Sequence, residues 1–304
     1  MPGRLAFFLL ALFLPVQATY AAARPVVFVT IPPQRWLVRQ LAGDAVEVVL
    51  LVPPGSDPHT FEPTGQQVTR LTRSQGWLTI GMPFEQALLE KARGVPPGLT
   101  EFPLYRGVPR LAGGAQAHGH GNGHVDETHE SARDSGAARD LAGTDPHIWL
   151  TPHGMAQLAT NTCRALEQVH PARREELARG LERLSADLAA LQVEIGESLL
   201  AVRGRTFWTH HASWSYFAEA FGLVQRAVEQ DGREPTPRQL AVLVRDARDT
   251  RARVLFADPQ VDPRPVRVLA GQIGAEVVFL DPLAEDWDHN MRQVAAAILA
   301  ALKD

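Results

Sequence analysis

Eleven histidines are spread unevenly along this chain of 304 residues. Four of them, His118, His120, His124 and His129, fall in the stretch AHGHGNGHVDETHE, which is broken by glycines and flanked by acids. Imidazoles and carboxylates at that density can bind a divalent ion. The other histidines with chemical potential are dispersed. His59 lies in PPGSDPHTFEP, His147 in TDPHIWLTP, and the pair His210 and His211 directly follows RTFWT, while Asp281 closes AEVVFLD. In both Asp-Pro-His sequences proline fixes its own φ and restricts its predecessor, so the imidazole is presented from a stiff turn. Two such histidines, a strand-end histidine and a strand-end carboxylate make four N/O donors. That set suits a tetrahedral divalent ion, zinc above all.

A closed set of four leaves no position for an activated water, which points to binding without chemistry. The alternative from another class is an exported zinc hydrolase, with three histidines and a water. Against it, the chain has no HExxH pair and no obvious general base beside the histidines. Spacing alone does not decide between His210 and His211, nor whether Asp281 or a water is the fourth ligand.

For these residues to meet, the intervening chain must bring loop ends together. The runs PVVFVT (25–30), VEVVLLV (46–52) and WLTIG (77–81) read as strands, with helical segments at 34–43, 65–71 and 85–93. Continuous Val/Leu/Ile runs separated by helices are what a parallel sheet covered on both faces requires. GVPPGLTEFPL (94–104) reads as a turn-rich connection. After a helix at 154–168, Pro171 opens a longer one, with Leu177, Leu181, Leu184, Leu188, Leu191, Ile195 and Leu199 at three-and-four spacing and a stop at Gly204. Strands return at 205–209, 223–229, 252–258 and 275–281. The fold class is therefore α/β: two (β/α) lobes with mainly parallel sheets, residues 24–170 and 204–304, joined by one long backbone helix, 171–203. In open sheets of this kind ligands sit beyond the carboxyl ends of strands, so the donors from the two halves converge on an interlobe cleft.

Residues 112–143 break this pattern. Many glycines and few large apolar side chains cannot offset the entropy of ordering, so the stretch reads as a disordered His-rich loop inserted in the first lobe. Its four histidines form at most an accessory metal site. At the N-terminus, Arg4, the apolar run LAFFLLALFLPV (5–16) and AAA (21–23) make residues 1–23 a secretory signal peptide too short for a comfortable membrane span. No cysteine follows the apolar run, which argues against lipid modification. Cys163 is the chain's one cysteine, so an internal disulfide and a multi-cysteine metal site are both excluded. A net charge of −4 gives no electrostatic reason to expect nucleic acid as a partner, and there is no Walker-type phosphate loop. These features describe an exported, soluble protein, and a monomer is expected.

Taken together, GSDPHTFEP, DPHIWLTP, HHASWSYFAEAFGL and FLDPL resemble the motifs of the metal-specific solute-binding proteins of ABC importers, most closely the zinc-binding, ZnuA-like subfamily. The resemblance covers essentially the whole mature chain. It implies two lobes on a rigid backbone helix, with the metal held between them by His59, His147 and His211 and a C-lobe carboxylate, Asp281. His210 then becomes a supporting neighbour. In manganese-binding relatives a glutamate stands in place of His211, and imidazole there favours zinc over manganese or iron. Many zinc members insert a His- and acid-rich loop before the second histidine motif, where residues 112–143 fall. Some also carry a C-lobe disulfide, which Cys163 alone cannot form. The implied function is periplasmic capture of Zn2+ as transported ligand. The implied partners are an ABC transporter permease and a periplasmic zinc metallochaperone.

Overall fold

The computed structural model describes residues 24–92, 99–112, 143–229 and 233–303. The expected signal peptide, and the loop carrying His118, His120, His124 and His129, lie outside the described residues. The first lobe runs β1 (Val26–Val29), α1 (Pro32–Ala42), β2 (Glu47–Leu50), α2 (Gly65–Leu71), β3 (Gly76–Thr79), α3 (Pro83–Ala92) and β4 (Glu101–Pro103), followed by α4 (Pro152–Val169). The second runs β5 (Thr206–Thr209), α6 (Ser215–Phe221), β6 (Val224–Ala227), α7 (Pro237–Asp249), β7 (Val254–Ala257), α8 (Arg264–Ile273), β8 (Glu276–Phe279) and α9 (Trp287–Leu302). Both sheets are fully parallel, in the orders β2-β1-β3-β4 and β6-β5-β7-β8. Each lobe therefore repeats one plan, and in each the carboxyl ends of the strands face the same cleft.

Local chemistry accounts for the element ends. Thr64 and Thr236 each accept a hydrogen bond from the backbone N–H three residues on, at Gln67 and Gln239, whose side chains return to the cap's own N–H. This reciprocal box satisfies two orphan donors at each helix start. Gly222 ends α6 in the left-handed region at φ 67°, a conformation that glycine adopts without a Cβ clash. The stretch 94–104, expected to be a turn-rich connection, contains a strand that the proline-rich pattern hid. Phe102 pairs with Leu78 and Pro103 with Thr79. Pro103 is tolerated because β4 is the edge strand, where a missing N–H breaks no further ladder.

The backbone helix is α5 (Arg174–Leu199), flanked by single 3₁₀ turns at Pro171–Arg173 and Leu200–Val202. Its buried face is Leu177, Gly180, Leu184, Leu188, Leu191, Ile195 and Leu199. Those six large side chains contribute on the order of 10 kcal/mol of burial, within a hydrophobic core that also takes in Leu37 and Leu158 from the first lobe and Phe217 and Met291 from the second. Gly180 marks the closest approach. A Cβ there would lie 2.7 Å from the Leu41 carbonyl oxygen, so any larger residue would push α1 off the helix. No helix among the described residues is long and apolar enough to cross a membrane.

The lobes are also clasped directly beside the cleft. Trp149 Nε1 donates to the Pro282 carbonyl at 2.8 Å, and Trp287 Nε1 donates to the Trp149 carbonyl at 2.9 Å. Tyr216 Oη donates to the Asp145 carbonyl at 2.9 Å, and Arg35 and Arg39 of α1 both pair with Glu285. These contacts pin the Asp-Pro-His turn at 145–147 against the opposite lobe.

Candidate metal centre

Three imidazoles meet in the cleft. The ring centroids of His59, His147 and His211 are 5.3 Å (59–147), 4.9 Å (59–211) and 5.2 Å (147–211) apart, a nearly equilateral triangle. One ring nitrogen from each falls within 4.8 Å of the other two, and His59 Nε2 is 3.3 Å from His147 Nε2. They line a cavity of about 280 Å³ together with Asp57, Trp149, Glu229, Asp258 and Gln260. His147 is buried, His211 is half-buried, and His59 stands at the mouth with one side open to solvent.

The rings from both lobes are held from behind by carboxylates. His147 Nδ1 is 2.7 Å from Asp145 Oδ1, and His211 Nδ1 is 2.7 Å from Glu229 Oε2. An Nδ1–H donated to a carboxylate fixes the tautomer and turns the Nε2 lone pair away from it, the arrangement found behind metal-bound histidines. Burial works against a charge on His211, but the hydrogen bond and charge of Glu229 outweigh it and raise the pKa. His59 shifts the other way. Desolvation, reinforced by the neighbouring His147 and His211, pushes it down to about 3, although solvent at its open side opposes the shift. Three imidazoles in such proximity cannot all be protonated, so they are ready for a cation other than H+.

The Asp-Pro-His pattern proves to be a turn device. In four of the five Asp-Pro pairs in the chain, at Asp57, Asp145, Asp262 and Asp281, the aspartate Oδ1 accepts the backbone N–H two residues on. Such a turn stiffens the segment whether or not a histidine follows. At Asp57 the second oxygen also takes Thr60 Oγ1, whereas at Asp145 the same Oδ1 reaches round to the histidine ring.

The predicted site residues are therefore brought together unequally. His59, His147 and His211 form one group; Asp281 is not part of it. Its Oδ1 accepts from Gln260 Nε2 at 2.6 Å and from Leu283 N at 2.8 Å, so Oδ2 is its remaining ligating atom. His210 is not part of the triangle or of the cavity lining and is fully buried. Sequence reasoning did not single out Asp145, Glu229 or Asp258. The first was legible in its own motif, while Glu229 lies 18 residues beyond His211 and becomes a neighbour only because β6 pairs with β5.

A family model described as the periplasmic component A of the zinc-uptake complex, ZnuA, matches residues 27–301. A crystal structure of ZnuA superposes with a TM-score of 0.81 at 31% identity, covering 92% of this chain and 100% of that one. A zinc-bound ZnuA deletion mutant gives 0.79 at 32% identity, covering 93% and 99%. The zinc-binding protein AdcA of Streptococcus pyogenes is 22% identical over 88% of this chain and 52% of its own length. With two parallel lobes on a backbone helix and a histidine triangle in the cleft, the chain belongs to the ZnuA family of zinc-binding solute-binding proteins.

Proposed function

We propose that this protein captures Zn2+ in the periplasm through His59, His147 and His211, with Asp281 supplying the fourth donor through Oδ2, and passes the ion to the permease of an ABC importer. The observation that supports this reading most strongly is the triangle itself. Three imidazoles converge from two lobes, and His147 and His211 are each backed by a carboxylate on Nδ1. Imidazole in all three places favours zinc over manganese, which prefers carboxylates. Four protein donors would close the shell and leave the ion bound without an activated water, so the role is carriage and not hydrolysis. The N-terminal 23 residues fit the export signal such a carrier needs, and a soluble monomer exchanging zinc with a metallochaperone fits its modest charge.

The test is competition titration with Zn2+, Mn2+ and Fe2+ on protein purified without chelator. One tight zinc equivalent, preferred over the other two ions, is expected. At ~1,000 times its dissociation constant, zinc should stabilise the folded state by roughly 4 kcal/mol and raise the melting temperature clearly. A melting temperature indifferent to zinc at neutral pH overturns the reading. We assign the histidines of residues 112–143 a subordinate role: weak, adaptable collection of zinc near His59 and His147, which raises its local concentration. Deleting residues 115–139 should leave the tight equivalent intact and remove weaker ones. Loss of the tight equivalent would move the metal site to the loop.

A further inference from the structure

Immediately behind the triangle, a second group of metal-ligating atoms comes together at His210, Glu229 and Glu234. His210 follows β5, and its backbone is locked at both ends: N donates to the Phe256 carbonyl at 2.7 Å and O accepts from Glu229 N at 3.0 Å. Its side chain is completely buried, yet neither Nδ1 nor Nε2 has a hydrogen-bond partner. An imidazole always carries at least one N–H, so this burial leaves a donor and an acceptor unmet, which is costly away from water. The carboxylate oxygens beside it are Glu234 Oε1 at 3.5 Å and Glu229 Oε1 at 3.9 Å from Nε2. Both are too long for good hydrogen bonds. They are close to the ~3.4 Å that separates two ligand atoms each ~2.1 Å from a tetrahedral zinc ion.

We infer that His210 Nε2, Glu229 Oε1 and Glu234 Oε1 form an accessory site for a borderline divalent cation such as Zn2+, with water completing the shell. Glu234 is exposed and supplies the entrance. One imidazole and two carboxylates bind zinc more weakly than three imidazoles and a carboxylate, so this site fills after the cleft does. Glu229 joins the two sites. Its Oε2 holds His211 Nδ1, so an ion on Oε1 draws charge from the carboxylate that supports His211. A second dication near the first adds repulsion, and both effects loosen the ion in the cleft. Coupling of this kind is reciprocal in binding free energy. The coupling rests on His211 being a cleft ligand; the accessory site itself does not.

The experiment compares the intact chain with Glu234→Gln, an exposed substitution that leaves the core untouched, and with His210→Leu. Zinc titration should show one fewer weak equivalent in each variant, with the tight equivalent retained. Crystals soaked in zinc should give an anomalous peak beside His210 in the intact chain and none there in Glu234→Gln. In excess zinc, exchange of radiolabelled zinc out of the tight site should be at least about fivefold faster in the intact chain than in Glu234→Gln. Equal numbers of equivalents in the intact chain and Glu234→Gln, with no peak at His210, overturn the accessory site; equal exchange rates overturn the coupling. Failure of the cleft reading would appear separately, as the absence of any tight equivalent.

Discussion

The two lobes share a strand order, but they finish the carboxyl ends of their central strands differently. In the first lobe the residue after β1 is Thr30 and the carboxylate beyond β3 is Glu85, buried and saturated with donors. Glu85 accepts from Thr30 Oγ1 and from the backbone N–H groups of Ile80, Gly81 and Met82, the last two at 2.7 and 2.9 Å. Trp77 Nε1 adds a bond to Thr30 Oγ1. In the second lobe the residue after β5 is His210 and the carboxylate beyond β7 is Asp258. Asp258 is as deeply buried, but it accepts a single 3.3 Å hydrogen bond from Ser213 Oγ, and His210 has none for its ring. One lobe closes its strand ends with a satisfied polar plug, and the other leaves polar groups undersatisfied beside the cleft. Buried groups without full partners are costly, and proteins keep them where a ligand will complete them.

The largest effects should fall on the triangle. His59→Ala, His147→Ala and His211→Ala should each weaken zinc binding by orders of magnitude in competition titration, while His210→Ala should leave the tight site far less affected. Equal losses at His210 and His211 would mean that the second lobe presents its ligand differently from the way the ring contacts indicate. The carboxylates behind the rings come next. Asp145→Asn and Glu229→Gln should each reduce zinc affinity by about 10–100-fold. If one of them had no effect, the two lobes would not hold their histidines by the same device.

Acidity should separate the lobes further. The pKa of His211 is raised by Glu229, so protons compete with zinc there from above the ordinary imidazole value of about 6.5. His59, held down to about 3, stays neutral through that range and releases no proton on binding. His211 by itself should make zinc affinity fall by about one decade per pH unit as pH drops below its pKa. Replacing Glu229 with Gln should move that fall to lower pH. A slope near three decades, measured by titration between pH 5.5 and 7.5, would mean that all three rings titrate together and that crowding does not protect His59.

Much of this arrangement is legible in the residues themselves. The alternation of Val/Leu/Ile runs with helical periods announces two parallel lobes, and the leucine spacing of 177–199 announces the helix between them. Placement after strands brings His59 and His211 to one cleft, and the second Asp-Pro-His turn adds His147. What local pattern conceals depends on pairing across the sheet. β4 hides among prolines because its edge position, not its composition, permits Pro103. The Asp-Pro-His repeat suggests a ligand motif, but the same turn recurs at Asp262 and Asp281 without a histidine, so its meaning comes from where the turn points. Adjacent histidines cannot be ranked by spacing, because both follow β5, and only the fold puts His211 with His59 and His147 and His210 with Glu229 and Glu234.

The smallest predicted effects test the two buried carboxylates directly, in the metal-free protein. Burial raises Glu85 and Asp258 each to about 7, from ordinary values of 4.5 and 3.8. A carboxyl group whose folded pKa is raised stabilises the fold most below its unfolded value, and that contribution is lost as pH rises through the folded one. Both groups should therefore make the protein less stable between about pH 5 and pH 8. Substitution should nonetheless affect them oppositely at pH 8. Glu85→Gln can keep its amide oxygen on the N–H donors of 80–82 only by turning its NH2 toward Ile80 N and Thr30 Oγ1, where Glu85 accepts, and should cost about 1–3 kcal/mol of unfolding free energy. Asp258→Asn removes a buried charge that has one long hydrogen bond, and should leave stability unchanged or slightly raised. At pH 5 Asp258 is already protonated in the folded protein, so the variant's advantage should vanish there. The measurement is denaturant unfolding of both variants, without metal, at pH 5 and pH 8. A loss of stability at pH 8 from Asp258→Asn equal to that from Glu85→Gln would show that the second lobe satisfies its carboxylate as fully as the first, and the contrast between the lobes would fail.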